Sequence, residues 1–127
     1  MKYEILEKSE TIDFSVIEPM LRDFISKFVL KNRKGRWLTL INKPKQLRKK
    51  FGDLWDHLEI ERSVSLNIEN IPNGVWFYYD GSDDFAYKLK TSELSEVCTY
   101  TDGITFFSSG NIAIFFTHEG SEYLFKI

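Results

Sequence analysis

The chain has one cysteine, two histidines and three prolines among its 127 residues, and its longest uncharged apolar runs are fragments such as Val75 to Tyr79 and Ile112 to Phe116. Each scarcity excludes something. Cys98 alone cannot form an intramolecular disulfide framework. The apolar fragments fall far short of the roughly 20 residues needed to cross a bilayer as a helix, so no membrane role is expected. Asp53 and His57 share a helix face at a four-residue spacing but supply at most half a metal site, and the sequence identifies no third ligand. His118 and Glu119 fall at a hairpin tip, where a catalytic pair would have little to exclude water. Cys98 sits in a Val-Cys-Thr-Tyr segment and reads as a small packed residue rather than a nucleophile. The glycines are isolated in turns, and none forms a phosphate-binding loop. No catalytic residue, metal or cofactor is therefore expected, and the chain does not read as an enzyme. The first ten residues contain Glu4, Glu7 and Glu10 and no apolar core of a secretory signal, so the expected compartment is the cytoplasm.

The other absence is of one charge sign. Between Phe24 and Gly52 there is no carboxylate, and ten cations stand there: Lys27, Lys31, Arg33, Lys34, Arg36, Lys43, Lys45, Arg48, Lys49 and Lys50. The rest of the chain holds the other seven Lys and Arg against all nineteen carboxylates. The net charge of −2 conceals a basic segment set in an acidic remainder. Such a pattern bears on partners and encounter rates rather than on fold.

What is present is apolar periodicity. Phe14, Ile17, Leu21, Phe24, Ile25 and Phe28 recur at three-and-four spacing, which predicts a helix capped by Asp13 or Ser15, beginning near Ser15 and stopping at Gly35. Trp37 to Ile41 reads as a short strand or extended connection. Leu47, Phe51, Leu54, Trp55 and Leu58 predict a second amphipathic helix after Pro44. From Val64 the period becomes two, through Leu66 and Ile68, Val75 to Tyr79 and Phe85 to Lys90. A polar connection follows over Thr91 to Glu96, then strands over Val97 to Tyr100, Ile104 to Phe107, Ile112 to Thr117 and Glu122 to Ile127. Apolar matching sets Val75, Phe77 and Tyr79 opposite Leu89, Tyr87 and Phe85. A two-residue Glu119-Gly120 turn sets Ile112, Ile114 and Phe116 opposite Ile127, Phe125 and Tyr123. The expected fold is one α+β domain over residues 1–127, two N-terminal helices packed on an antiparallel meander of five or six strands.

Two surfaces compete as sites. Asp80, Asp83 and Asp84 crowd one hairpin tip, with Glu93 and Glu96 following at helical spacing, while Trp76 and Tyr78 alternate onto the face away from the apolar set. Either helices cover both sheet faces, or those rings form an exposed patch. Aromatic anchors ringed by carboxylates would suit a basic protein partner, such as the cleft of a nuclease. Asp80 to Asp84 lacks the spaced ligands of a calcium loop. The rival surface is nucleic-acid binding through the basic segment, with Arg33, Lys34 and Arg36 beside a stacking Trp37 and with Lys45, Arg48 and Lys49 on the second helix. A sequence pI near 5.7 counts against it. A small-ligand or enzymatic domain with a Trp- or Tyr-lined pocket is the remaining alternative.

The segments Gly74 to Gly81, Gly103 to Phe107 and Ile112 to Phe116 give the C-terminal half a style that resembles the small cytoplasmic immunity proteins of bacterial polymorphic-toxin and contact-dependent inhibition systems. That resemblance implies a non-enzymatic domain that neutralises a cognate, nuclease-type toxin by direct binding. Those families share no diagnostic motif, so it transfers no site residue.

Overall fold

Helix α2 (Phe14–Phe28) buries all six residues of the three-and-four stripe, and Asp13 caps it by accepting a 2.8 Å hydrogen bond from the Ser15 amide. In the computed structural model, which describes residues 4–65, 71–97 and 102–127, this helix belongs to a helical layer packed on the sheet. It is preceded by α1 (Glu4–Lys8) and β1 (Thr11–Asp13), and followed by α3 (Lys31–Ile41) and α4 (Pro44–Lys50). After 3-10 segments at Phe51–His57 and Ile60–Arg62 come β2 (Val75–Tyr79) and β3 (Phe85–Lys90). A 3-10 turn at Thr91–Glu93, α5 (Leu94–Val97), β4 (Gly103–Phe107), β5 (Ile112–Phe116) and β6 (Glu122–Lys126) complete the order. The architecture is α+β: among the described residues, five α-helices and one open, wholly antiparallel sheet in the order β1-β3-β2-β4-β5-β6.

The helical half departs from expectation in where its elements break. The first helix ends at Phe28, not at Gly35, because Val29 is extended and bridges Leu58, with Leu30 N–H donating to the His57 carbonyl at 2.8 Å. Beyond that tie Trp37, Leu40 and Ile41 bury one face of α3, and Gly35 lies inside it. Trp37 to Ile41 is therefore helix rather than strand. The second helix keeps its stripe, with Leu47, Phe51, Leu54 and Leu58 buried, but tightens to 3-10 at Phe51. The two expected helices are thus four segments.

The sheet is apolar on both faces. Phe77, Tyr79, Ala86, Ile104, Phe106, Ala113, Phe115 and Phe125 pack against α2, α3, α4 and the Phe51–His57 segment. Trp76, Tyr78, Tyr87, Leu89, Ile114, Phe116 and Leu124 form a second core with Leu6 of α1 and with Leu94 and Val97 of α5. Both expected hairpin registers are off by one residue. Trp76 pairs with Leu89 and Tyr78 with Tyr87, while Ile112 pairs with Lys126 and Ile114 with Leu124. The loops decide this. Thr117 N–H bonds the Ser121 carbonyl at 2.9 Å around a three-residue loop whose Gly120 has φ +85°, a turn plus left-handed glycine rather than a two-residue turn. Val97 lies in α5 rather than a strand, and Val64 forms a bridge to Leu124. Leu66, Ile68, Cys98 and Tyr100 lie outside the described residues.

Candidate functional site

The acidic hairpin is tied into the fold at each carboxylate. Asp80 Oδ1 accepts the Ser82 amide at 3.0 Å and also the Ser82 hydroxyl, while its Oδ2 accepts the Tyr78 hydroxyl at 3.3 Å. Asp83 Oδ2 accepts the Tyr87 hydroxyl at 3.0 Å. Asp84 Oδ1 stands 2.9 Å from Arg48 Nε, an ion pair whose N–H is not aligned for a hydrogen bond. The tip is also fixed sterically. Gly81 has φ +79°, and a Cβ there would lie 2.7 Å from that of Phe51. Burial pushes the Tyr79 hydroxyl well above its ordinary pKa; Arg48 partly opposes this, and Asp80 and Asp84 reinforce it.

Trp76 and Tyr78 are not exposed anchors. Both are 0% accessible. The Trp76 indole N–H donates to Thr91 Oγ1 at 3.0 Å, and its ring lies 5.1 Å from that of Phe107. The reason is the second core: α1 and α5 cover the face that was expected to be open. Glu93 accepts the Lys90 amide at 2.7 Å and so closes the Thr91–Glu93 turn. Glu96 is exposed and lines a cleft of about 360 Å³ with Glu4, Ile5 and Lys8. Glu93 and Glu96 follow the far end of the six-residue β3, so a strand's length, about 20 Å at about 3.3 Å per residue, separates them from the hairpin tip. The seven residues do not form one surface.

The basic segment keeps its cations outside. Arg33, Arg36, Lys45 and Lys49 are exposed, and Lys34 and Arg48 are half-buried. Of the ten cations, Arg48 is the one in an ion pair among the described residues. Trp37 is 1% accessible and donates its indole N–H to His57 Nδ1 at 3.0 Å, so it is not a stacking ring. His57 is thereby engaged in packing, and no group of three or more metal-ligating side chains occurs among the described residues.

One groove joins the two rival sets. It has a volume of about 610 Å³ and lies between the start of α2, the start of α4 and the hairpin tip. Phe14 and Pro44 give it apolar lining, and Asp13, Glu18, Lys43, Lys45 and Asp84 add charges of both signs. Phe14 is held by its ring contact with Tyr79 at 5.4 Å. The Ser15 hydrogen bonds hold the Asp13 carboxyl below its ordinary pKa, so it is an anion in the neutral range. Asp84 and Lys45 come from the sequence-predicted sets. Asp13, Ser15, Glu18, Lys43 and Gln46 do not: two helix-start signals were legible, but their adjacency was not.

A second polar pair lies at the β5–β6 tip. His118 donates its backbone N–H to Asp102 Oδ1 at 3.1 Å, and its Nδ1 lies 3.1 and 3.3 Å from the two carboxylate oxygens. Asp102 raises the imidazole pKa, first by hydrogen bonding and then by charge, with Glu119 and Asp56 adding to it. The ring is 58% exposed, so bulk water reaches it. No protein-family model, curated protein or solved structure matches this chain.

Proposed function

We propose that this chain is a protein-binding domain without turnover of its own, acting in the bacterial cytoplasm as an immunity protein that neutralises a cognate toxin domain by direct contact. The observation that carries the reading is the groove at Asp13–Glu18, Lys43–Gln46 and Asp84, which has apolar lining at Phe14 and Pro44 and charge of both signs around it. Protein hot spots have that anatomy, an apolar centre that excludes water and a polar surround that selects the partner. The surround suits a partner carrying both signs, with carboxylates for Lys43 and Lys45 and cations for Asp13 and Glu18. The anchor therefore comes from the partner and enters the groove, instead of Trp76 and Tyr78 leaving this chain. None of the described helices is long and apolar enough to cross a membrane, which accords with that setting.

The reading predicts a toxin gene immediately upstream of this one, and the test is co-expression of that toxin domain with this chain, followed by calorimetry on the purified pair. Gln46→Trp fills the groove from an exposed position and is expected to weaken the complex at least tenfold with the melting temperature unchanged. Failure of the wild-type chain to bind or protect against the neighbouring toxin would remove the proposal. Full affinity in Gln46→Trp would move the site elsewhere.

A further inference from the structure

Helix α3 breaks three local rules at once, and its packing explains none of them. Lys31, Arg33 and Lys34 occupy its first turn, the positive end of the helix dipole, where carboxylates are favoured. Leu30 stands at the N-cap and supplies no side-chain hydrogen bond. Gly35 lies in the helix interior, where it lowers stability relative to alanine, yet a Cβ there would meet nothing within 4 Å. No close neighbour among the described residues requires that glycine. Violations of this kind concentrate where function sets the sequence.

The exposed side of α3 follows from helical spacing. Trp37, Leu40 and Ile41 face the core, so Lys31, Gly35 and Thr39 run along the opposite side, with Asn32 and Arg36 beside them. All of these positions face solvent, and the Thr39 hydroxyl donates back to the Gly35 carbonyl at 3.0 Å. The result is a low strip at Gly35 and Thr39 flanked by cations that have no ion-pair partner among the described residues.

We propose that this strip docks the phosphate backbone of a duplex nucleic acid. Backbone recognition uses Lys, Arg, Asn and Thr side chains and gains from close approach of a flat surface. The strip has no apolar side chain, and a protein hot spot needs one. With Trp37 buried the strip itself offers no ring on which unpaired bases could stack, which favours a duplex over a single strand. The carboxylates that make the chain acidic overall all lie outside residues 24–52, so the attraction is local and orients the encounter. The strip shares no residue with the groove at Phe14 and Pro44, so the two proposals stand or fall separately.

The experiment is fluorescence anisotropy of a labelled mixed-sequence DNA duplex of about 20 base pairs, titrated with the full chain from low to physiological salt. Retention at low salt is expected, with log affinity falling linearly in log salt. Lys31→Glu with Arg36→Glu should weaken low-salt affinity at least tenfold and reduce the slope by about 0.9 for each phosphate no longer neutralised. Lys126→Glu, exposed on β6, carries the same change per residue elsewhere and should leave the slope unchanged. Gly35→Ala should raise the melting temperature by about 2–5 °C while weakening duplex binding at least threefold. No retention by the wild-type chain, an equal weakening per residue in the β6 control, or equal competition by poly-glutamate at matched charge would each overturn the proposal. Unchanged duplex affinity in Gly35→Ala would overturn the close approach on which it rests.

Discussion

The Asp80–Asp84 hairpin and helix α3 each concentrate charge of one sign, and the fold treats them in opposite ways. At the hairpin Asp80 holds a turn and the Tyr78 hydroxyl, Asp83 takes the Tyr87 hydroxyl, and Asp84 meets Arg48. On α3 Lys31, Arg33 and Arg36 are exposed and make no ion pair among the described residues. A dense run of charge in a sequence therefore says little about how much of it is available to a partner. Availability depends on which hydroxyls, amides and counter-ions the folded chain brings to it, and only the tertiary structure decides that.

The largest expected effect lies beneath the hairpin. Trp76→Ala removes a fully buried ring and leaves Thr91 Oγ1 without its indole donor, so a loss of about 3–5 kcal/mol in urea unfolding is expected. A loss below about 1 kcal/mol would mean that this face of the sheet is open and the hairpin not anchored to a core. Next comes Gly81→Ala, which strains a left-handed position and drives a methyl against Phe51. It should cost about 2 kcal/mol by the same measurement. On the helix side Gly35→Ala should do the reverse and stabilise by about 0.5–1 kcal/mol. A loss there would show that α3 requires the glycine for its own conformation.

The smallest effect belongs to the β5–β6 tip. Asp102 raises the His118 pKa above the unfolded value of 6.5. Protonated His118 therefore favours the folded state, a contribution complete below that value and lost as pH rises through the folded pKa. Melting temperatures of wild type and His118→Gln should accordingly converge as pH is raised from about 6 to 8. Curves that stay parallel throughout would remove the pair's influence on stability.

Much of the fold was legible where one period dominated. The six buried residues of α2 and the stripe Leu47, Phe51, Leu54 and Leu58 were found from spacing alone, and β4, β5 and β6 fell where the alternation put them. Registers were not legible, because a one-residue slip is penalised only when one face is polar, and here Trp76 and Phe77 are both buried. The covering of Trp76 and Tyr78 was hidden for a related reason. Helices α1 and α5 have five and four residues, too few to show a period, and they contribute only Leu6, Leu94 and Val97 to the buried core. Gly35 misled because glycine signals a helix end through a left-handed conformation, whereas here it is an ordinary helical residue. The groove draws on residues 13–18, 43–46 and 84, and no local pattern joins segments so far apart.

The claim that hairpin charge is engaged and α3 charge is free is tested most directly by urea denaturation of two charge-neutralised double variants beside the wild type. Asp80→Asn with Asp83→Asn weakens the acceptors of Ser82, Tyr78 and Tyr87 and should lose about 2 kcal/mol. Lys31→Gln with Arg36→Gln removes two cations that have no ion-pair partner among the described residues, one of them at the positive end of a dipole, and should leave stability within about 0.5 kcal/mol of wild type or raise it. The opposite ranking, a stable hairpin variant and a destabilised helix variant, would contradict the account.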